Sequence, residues 1–223
     1  LLVDRGSAAP DDRHVRDLVE ILRPGDLLVV NETKVMPARL RLQRATGGAA
    51  EVLMLEPVDG GRRLWEALVR PARKLRPGET LFAPDGTPVV DIVKRTPAGD
   101  TFHVGLVGPT DAHGSFHPFD SFDVIDRHGE MPLPPYITER LSDPERYQTV
   151  YAREPGSAAA PTAGLHFTSE LLADLAAAGI EQANVELVVG LDTFRPIAVA
   201  DPLDHRMHSE RYRVPANTFE RCK

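Results

Sequence analysis

The sequence has a single cysteine, Cys222, which excludes an internal disulfide framework and is typical of a protein in a reducing cytosol. It has no apolar run near the ~18–20 residues that a membrane-spanning helix needs, and no secretory signal is visible. It also lacks an excess of positive charge, since the net charge of −7 argues against a protein that generally coats nucleic acid. We therefore expect a cytoplasmic location.

Positive charge is nevertheless concentrated in one segment. Between Arg39 and Arg76 there are nine Lys or Arg residues and four acidic ones, so this segment carries +5 and the remainder −12. Such a reversal can mark contact with a phosphate backbone, and we predict that Arg73 and Lys74 contact RNA there. The alternative is an ordinary solvated basic face, because runs of like charge are usually only solvated.

The pattern of apolar residues and turns predicts two kinds of structure. A helix over residues 15–22 and a buried strand at 27–30 come first, and helices at 144–152 and 170–178 and a strand at 180–189 come last. We expect Ser142 and Thr168 or Ser169 to cap the two later helices. From Glu51 to Val107 short β-like runs alternate with Gly-Gly and Asp-Gly turns, as in a small β-barrel.

The predicted fold is an α/β main domain interrupted by an inserted small β-barrel. The main domain is expected to comprise residues 1–47 and 129–223, and the barrel residues 48–128. The chain begins without methionine and ends inside an expected helix. We interpret it as part of a longer protein, truncated at both ends.

Several polar segments are candidates for chemistry. Asn31, Thr33 and Lys34 directly follow a buried strand, where α/β domains place ligands, although an ordinary polar turn fits equally well. The small residues of 156–164 allow a ligand to approach the backbone closely, and His166 follows them. The segment 205–210 contains two histidines and a glutamate, which suits either a metal site or acid–base chemistry.

Five stretches resemble the S-adenosylmethionine:tRNA ribosyltransferase-isomerase family of queuosine biosynthesis. In chain order they are GDLLVVNETKVMPARL (25–40), MPLPPYI (131–137), RYQTVY (146–151), AAPTAGLHF (159–167) and HRMHSE (205–210). The resemblance implies an enzyme that transfers and isomerises the ribosyl group of S-adenosylmethionine onto 7-aminomethyl-7-deazaguanine at the tRNA wobble position. Adenine and methionine leave, and epoxyqueuosine-tRNA forms. It also implies an α/β domain with an inserted β-barrel and no metal; we expect a monomer.

The resemblance and the residue chemistry together imply three groups of site residues. The catalytic candidates are His166, His208, Glu210 and Tyr136, which can supply a base, an acid and a platform. The candidates for binding S-adenosylmethionine are Asn31, Thr33, Lys34, Arg39, Pro161, Thr162, Gly164, Thr193 and Phe194. The candidates for binding the base or tRNA are Pro134, Pro135, Tyr147, Gln148, Arg73 and Lys74.

Two positions depart from the family pattern. The family reads His-Val-Gly-x-Gly-Thr-Phe where this chain has Val188 in place of the histidine and Asp192 in place of the second glycine. One alternative function is therefore a tRNA-binding relative with altered catalysis. Another is a metal-dependent hydrolase that uses His205, His208 and Glu210.

Overall fold

The computed structural model describes residues 1–4, 6, 9–97, 99–108, 119–133, 137, 143–190, 199–204 and 210–223. Within these residues the strands are β1 (Leu27–Asn31), β2 (Thr33–Val35), β3 (Arg39–Arg44), β4 (Ala49–Pro57), β5 (Leu64–Arg70), β6 (Thr80–Phe82), β7 (Pro88–Arg95), β8 (Phe102–Leu106), β9 (Gly129–Glu130), β10 (Glu154–Ser157), β11 (Glu181–Val188) and β12 (Arg211–Arg213). The α-helices are α1 (Leu18–Ile21), α2 (Ser121–His128), α3 (Ser169–Ala177) and α4 (Ala216–Arg221). Short 3-10 helices cover Val15–Asp17, Pro144–Tyr147, Thr162–His166 and Pro202–Asp204.

Strands β3 to β8 form a closed six-stranded antiparallel barrel in the order β3-β4-β5-β8-β7-β6, with β6 returning to β3. Residues alternate along each strand, so Leu40 and Leu42 are buried in the barrel while Arg39 and Arg41 face outward. The predicted barrel is therefore confirmed. Its first strand begins at Arg39, before the Gly47-Gly48 turn at which the sequence places the start of the β-rich segment.

The other strands form small sheets of mixed direction. β1 pairs in parallel with β11, and β12 adds to β11 in antiparallel orientation, while β2 and β10 form a separate parallel pair. Helices α1 and α3 supply an apolar layer beside β1, in which Leu171, Leu175 and Ile180 are buried. The Thr168 hydroxyl caps α3 by accepting a hydrogen bond from the Leu171 N–H at 3.2 Å, as predicted.

Helix α2 is fixed to the barrel through Arg62. The Arg62 carbonyl accepts hydrogen bonds from the Trp65 indole N–H and the Ser121 hydroxyl. The Arg62 guanidinium lies 4.8 Å from the centre of the Phe122 ring. That ring meets the Trp65 ring edge-on, with 6.2 Å between the ring centres. These contacts fix the orientation of α2 on the barrel.

The chain leaves α2 through Gly129, which packs closely against the segment before β3. A Cβ atom at this position would lie 1.8 Å from the Pro37 carbonyl oxygen and 2.5 Å from that of Ile125. Only glycine fits there without movement of the backbone. This close approach lets β9 pair with the start of β3.

The helix predicted over residues 144–152 is wrong in extent and in its cap. The structure has only a 3-10 turn, Pro144–Tyr147, whose N-cap is Asp143; its carboxylate accepts from the Glu145 N–H at 3.0 Å. The predicted cap, Ser142, lies outside the described residues. The helix ends early because the next side chain, Gln148, pairs with the distant Val35 backbone.

Across the described ranges, no helix is both long enough and apolar enough to cross a membrane.

Candidate functional site

A cavity of about 1080 Å³ lies where the outer face of β3 meets β2, β10 and the end of α2. Its apolar wall is formed by Val35, Met36, Pro37, Phe122, Met131, Leu133, Ile137, Pro144 and Pro155. Its polar wall is formed by Lys34, Arg39, Arg41, Asp126, Glu130, Glu145, Gln148 and Arg153. The cavity thus brings together predicted residues from two separate stretches, Lys34 and Arg39 from 25–40 and Gln148 from 146–151.

Lys34 lines this cavity from the middle of β2. It is half-buried, whereas its neighbours on the strand, Thr33 and Val35, are 2% and 3% exposed. Val35 contributes to the apolar wall of the cavity, and Thr33 is not part of its lining. The ammonium supplies a mobile positive charge at the wall.

Gln148 reinforces β2 from the side. Its amide oxygen accepts from the Val35 N–H at 3.0 Å, and its amide nitrogen donates to the Val35 carbonyl at 2.8 Å, so the side chain pairs as a neighbouring strand would. Tyr147, also predicted to contact a base, is 4% exposed and packs with Val35 and Ala160. Gln148 lines the cavity and Tyr147 is not among its lining residues, and contact of either with a base stays a prediction.

Arg39 is the unusual side chain of the cavity. Its Nε is buried, and within the described ranges no hydrogen-bond acceptor contacts it. Arg41, two residues along the same strand and on the same face, instead donates from Nε to Glu130 at 2.9 Å. The two guanidiniums are therefore in different states, one engaged and one with an unused buried donor.

Asn31 and Thr33 tie three strands together. The Asn31 amide donates to the Leu187 carbonyl at 2.9 Å, and its oxygen accepts from the Leu187 N–H at 3.0 Å and from the Thr33 hydroxyl at 3.0 Å. The Thr33 hydroxyl also contacts the Leu187 carbonyl at 2.9 Å. These bonds link the end of β1 to β2 and β11, so the two residues position Lys34 rather than lining the large cavity themselves.

Much of the small-residue segment 156–164 packs against other parts of the protein. Ser157, Ala158 and Ala159 are fully or almost fully buried, and the Ser157 hydroxyl accepts from the Val189 N–H at 3.1 Å. A Cβ on Gly164 would lie 2.2 Å from the Tyr151 hydroxyl oxygen, so the glycine allows the 3-10 helix to contact that buried ring. Burial raises the pKa of Tyr151.

The remaining members of this segment are accessible. Pro161 is half-buried, and Thr162 and His166 are exposed. His166 ends the 3-10 helix Thr162–His166, just before the cap of α3. An exposed imidazole is free to meet a substrate, and that role stays a prediction.

Glu210 accepts a hydrogen bond from the Gly190 N–H at 3.1 Å, just beyond the end of β11. The predicted residues that lie outside the described ones are Tyr136, His205, His208, Thr193, Phe194, Pro134, Pro135 and Asp192. Among the residues that the structure describes, no group of three or more His, Cys, Asp or Glu could hold a metal ion.

Comparison with known proteins identifies the family. The model of the queuosine biosynthesis protein family matches residues 1–223, the whole chain. The chain belongs to this family. S-adenosylmethionine:tRNA ribosyltransferase-isomerases from Symbiobacterium thermophilum and Staphylococcus aureus are 54% and 46% identical to it over 96% and 99% of this chain. The chain spans about 60% of the length of these curated relatives.

A crystal structure of an S-adenosylmethionine tRNA ribosyltransferase from Thermotoga maritima also matches this member of the queuosine biosynthesis family. The identity is 26%, over 92% of this chain and 49% of that chain, with a TM-score of 0.30. That score is too low for a comparison of the two folds.

The basic segment of this family member is only partly available for an anionic ligand. Arg44 is engaged with Glu79 at 2.6 Å and donates to the Lys74 carbonyl at 3.1 Å. The Arg44 guanidinium and a backbone hydrogen bond lower the pKa of Glu79. Arg73 and Lys74 themselves are exposed on the turn after β5. Their charges remain available, and contact with RNA stays a prediction.

The sequence did not indicate five charged residues of the cavity, which are Arg41, Asp126, Glu130, Glu145 and Arg153. Asp126 lies on α2, Glu145 in the 3-10 helix before Tyr147, and Arg153 just after the RYQTVY stretch. Glu145 and Arg153 flank a stretch that was singled out, so proximity to a motif was an available signal. Asp126 had no such signal, because only the packing of α2 brings it to the cavity.

Proposed function

We propose that this protein is an S-adenosylmethionine:tRNA ribosyltransferase-isomerase. It would transfer and isomerise the ribosyl group of S-adenosylmethionine onto 7-aminomethyl-7-deazaguanine at the wobble position, giving epoxyqueuosine-tRNA, adenine and methionine. The observation that carries the proposal is the match of the whole chain to the queuosine biosynthesis family, with relatives of that name at 46–54% identity. We further propose that it acts in the cytoplasm as a monomer, with tRNA and S-adenosylmethionine as its substrates.

The large cavity supports this function by its size and its walls. A volume of about 1080 Å³ is at the upper end of small-molecule sites, which suits a nucleoside co-substrate together with an extruded base. The apolar wall can pack on flat heterocycles, and Lys34 and Arg39 supply positive charge for an anionic group. We propose these two residues as the main contacts with S-adenosylmethionine.

The reaction needs groups that move protons. A proton must leave the carbon beside the sulfonium, and departing adenine must be protonated. We propose that His166, His208, Glu210 and Tyr136 share these tasks, with Thr162, Thr193 and Phe194 near the co-substrate. In this proposal Asn31, Thr33 and Gln148 act indirectly, because their hydrogen bonds hold β2. Pro134, Pro135 and Tyr147 would shape the base site, and Pro161 and Gly164 the loop before His166.

The barrel is proposed to contact tRNA. Arg73 and Lys74 are exposed on one barrel turn, and the side chains of Arg44 and Arg95 hold that turn through the Lys74 and Ala72 carbonyls at 3.1 Å. A rigid cationic turn can accept a phosphate backbone with little loss of entropy. The arrangement we propose is a barrel, about residues 48–128 plus the preceding strand β3, inserted into a main α/β domain.

An adenine-release assay tests the proposal. The protein is mixed with S-adenosylmethionine and tRNA that carries the 7-aminomethyl-7-deazaguanine precursor, and free adenine is measured. We expect release that depends on both substrates, and Lys34→Met should lower kcat/KM by about tenfold or more, equivalent to about 1.4 kcal/mol. The matched control is Lys94→Met, an exposed lysine on β7, which should change the rate less than twofold. Absence of adenine release in the wild-type protein would refute the proposed activity.

Position 188 tests whether the protein is an active enzyme or a relative that only binds tRNA. It ends β11 opposite Arg211 and lines a second cavity of about 470 Å³, next to Thr33. If the wild-type protein is active, a valine at position 188 is sufficient for catalysis. If the wild-type protein binds tRNA without releasing adenine and Val188→His restores release, the chain is a binding relative instead.

A further inference from the structure

Arg39 has a buried side-chain donor without an acceptor among the residues that the structure describes. Its Nε is shielded from water, and in the described part of the chain it meets no hydrogen-bond acceptor. A desolvated charged donor without a partner is costly, and native proteins rarely keep one unless a ligand or functional group uses it. The residue lines the large cavity, so a group that enters the cavity lies beside this side chain.

The position of Arg39 in the strand explains why its guanidinium is unused. It is the first residue of β3, where its backbone faces Leu53 on one side and Glu130 on the other. The nearby carboxylate of Glu130 is already engaged by Arg41 Nε at 2.9 Å. Arg41, two residues further along β3, therefore occupies the acceptor that Arg39 would otherwise use.

The chemistry of the unused group favours a carboxylate. A guanidinium offers Nε–H and Nη–H side by side, which matches the two oxygens of a carboxylate in a bidentate pair. Lys34, in the same cavity, offers only a point charge on a flexible stem. Asp126 and Glu145 also line the cavity and can face positive groups of the same ligand. The lining thus fits a ligand that carries one carboxylate and separate positive charges.

We propose that Arg39 binds the carboxylate of the methionyl part of S-adenosylmethionine through its Nε edge. The inference rests on the proposed function, because it assigns one group of that co-substrate to one side chain. S-adenosylmethionine carries a carboxylate beside an ammonium and a sulfonium, and these charges complement the cationic Arg39 and the anionic Asp126 and Glu145 of the lining. A small change in the side-chain torsions of Arg39 turns the Nε–Nη edge toward the cavity when the carboxylate enters.

The test compares two ligands on three proteins without tRNA. The ligands are S-adenosylmethionine and its decarboxylated form, which keeps the adenosine, the sulfonium and the ammonium. Dissociation constants are measured by calorimetry for the wild-type protein, Arg39→Gln and Arg41→Lys. Arg41→Lys is the matched control, because it changes the neighbouring arginine of the same strand, face and cavity but keeps a cation beside Glu130, so this carboxylate is not released to Arg39.

We expect the wild-type protein to prefer S-adenosylmethionine by about tenfold or more, as a bidentate charge-assisted pair predicts. Arg39→Gln should remove this preference by weakening only the carboxylate-bearing ligand, with the decarboxylated form bound within twofold of wild type. Arg41→Lys should keep the preference. A preference that survives in Arg39→Gln, or that is absent from the wild-type protein, overturns the assignment.

Two further measurements keep the outcome unambiguous. If Arg39→Gln does not fold, as judged by circular dichroism, Arg39→Lys replaces it; the preference should then fall, and an unchanged preference overturns the inference. Arg39 could instead contact a tRNA phosphate. In that case its replacement would weaken tRNA binding and reduce the salt slope, with the ligand preference intact, which also overturns it.

Adenine release in the same preparations separates this inference from the proposed function. A wild-type protein that releases adenine, but whose ligand preference does not depend on Arg39, overturns the carboxylate assignment alone. A wild-type protein that binds neither ligand and releases no adenine overturns both.

Discussion

The substitution Gly129→Ala should destabilise the barrel and its junction with the cavity. The added methyl group would stand 1.8 Å from the Pro37 carbonyl oxygen and 2.5 Å from that of Ile125. Both obstacles are backbone atoms, so no side-chain rotation can relieve the clash. Real Cβ contacts are essentially never shorter than 3.0 Å, and the segments must therefore separate by at least about 1.2 Å.

The free-energy cost follows from what this separation breaks. Overpacking a well-filled site costs about 1–3 kcal/mol. The movement also strains the pairing of β9 with β3, in which Gly129 faces Leu40 and Glu130 faces Arg39. We expect Gly129→Ala to lower the free energy of unfolding by about 2–3 kcal/mol. With a urea m-value of about 2 kcal/mol/M, the unfolding midpoint should fall by about 1 M or more.

Trp65 provides the assay. It is the sole tryptophan of the sequence, is 1% exposed inside the barrel and lies edge-on to Phe122 of α2. Its fluorescence during urea unfolding therefore reports on the barrel and on α2 together. The matched control is Gly105→Ala on β8, where a Cβ would be 3.8 Å from the nearest atom, an ordinary contact. That change should stay within about 0.5 kcal/mol of wild type. Equal midpoints for Gly129→Ala and wild type would refute the close packing at this junction.

Three other substitutions test separate features. Thr168→Ala removes the cap of α3 and should lower stability by about 0.5–2 kcal/mol in urea unfolding, whereas Thr168→Ser should be close to neutral. Burial lowers the pKa of His128 below 6.5, so the fold has its full stability above that pH and loses part of it as the pH falls and protons bind the unfolded chain. His128→Gln should therefore flatten the fall of Tm between pH 7 and lower pH. An unchanged slope would contradict this. Charge reversal of Arg73 and Lys74 to glutamate should weaken tRNA binding and reduce its dependence on salt, and unchanged binding would exclude the RNA contact.

The barrel could be predicted because its signals are local. Short alternating runs and turn residues lie within a few positions of one another, as in β5, where Trp65, Ala67 and Val69 are buried at alternate positions. Helix α3 was equally accessible, since its cap, Thr168, directly precedes it. Such features depend on neighbours in sequence and need no knowledge of the rest of the fold.

The features that the sequence did not show depend on distant partners. The helix predicted over residues 144–152 is shorter than expected, and the amide of Gln148 binds the backbone of Val35, 113 residues away in the chain. The amide oxygen and nitrogen of Asn31 bind Leu187, 156 residues away, and the contacts of both side chains with ligands stay predictions. A sequence shows that a polar side chain is present and cannot show which distant backbone group will satisfy it.

The roles of the motif residues differ according to whether their hydrogen-bonding groups have partners in the protein. Gln148 and Asn31 have their hydrogen-bonding groups met by protein, so they hold β2 in place and thereby direct Lys34 into the cavity. Arg39 belongs to the same stretch of sequence as Asn31, yet its buried Nε has no acceptor within the described ranges. A folded chain seldom leaves such a donor unmet, which is why we propose a ligand carboxylate as the acceptor for Arg39. Asn31, which holds the strand, and Arg39, the proposed binding residue, thus lie in one motif. Their hydrogen-bond partners, rather than their residue types, distinguish the two roles.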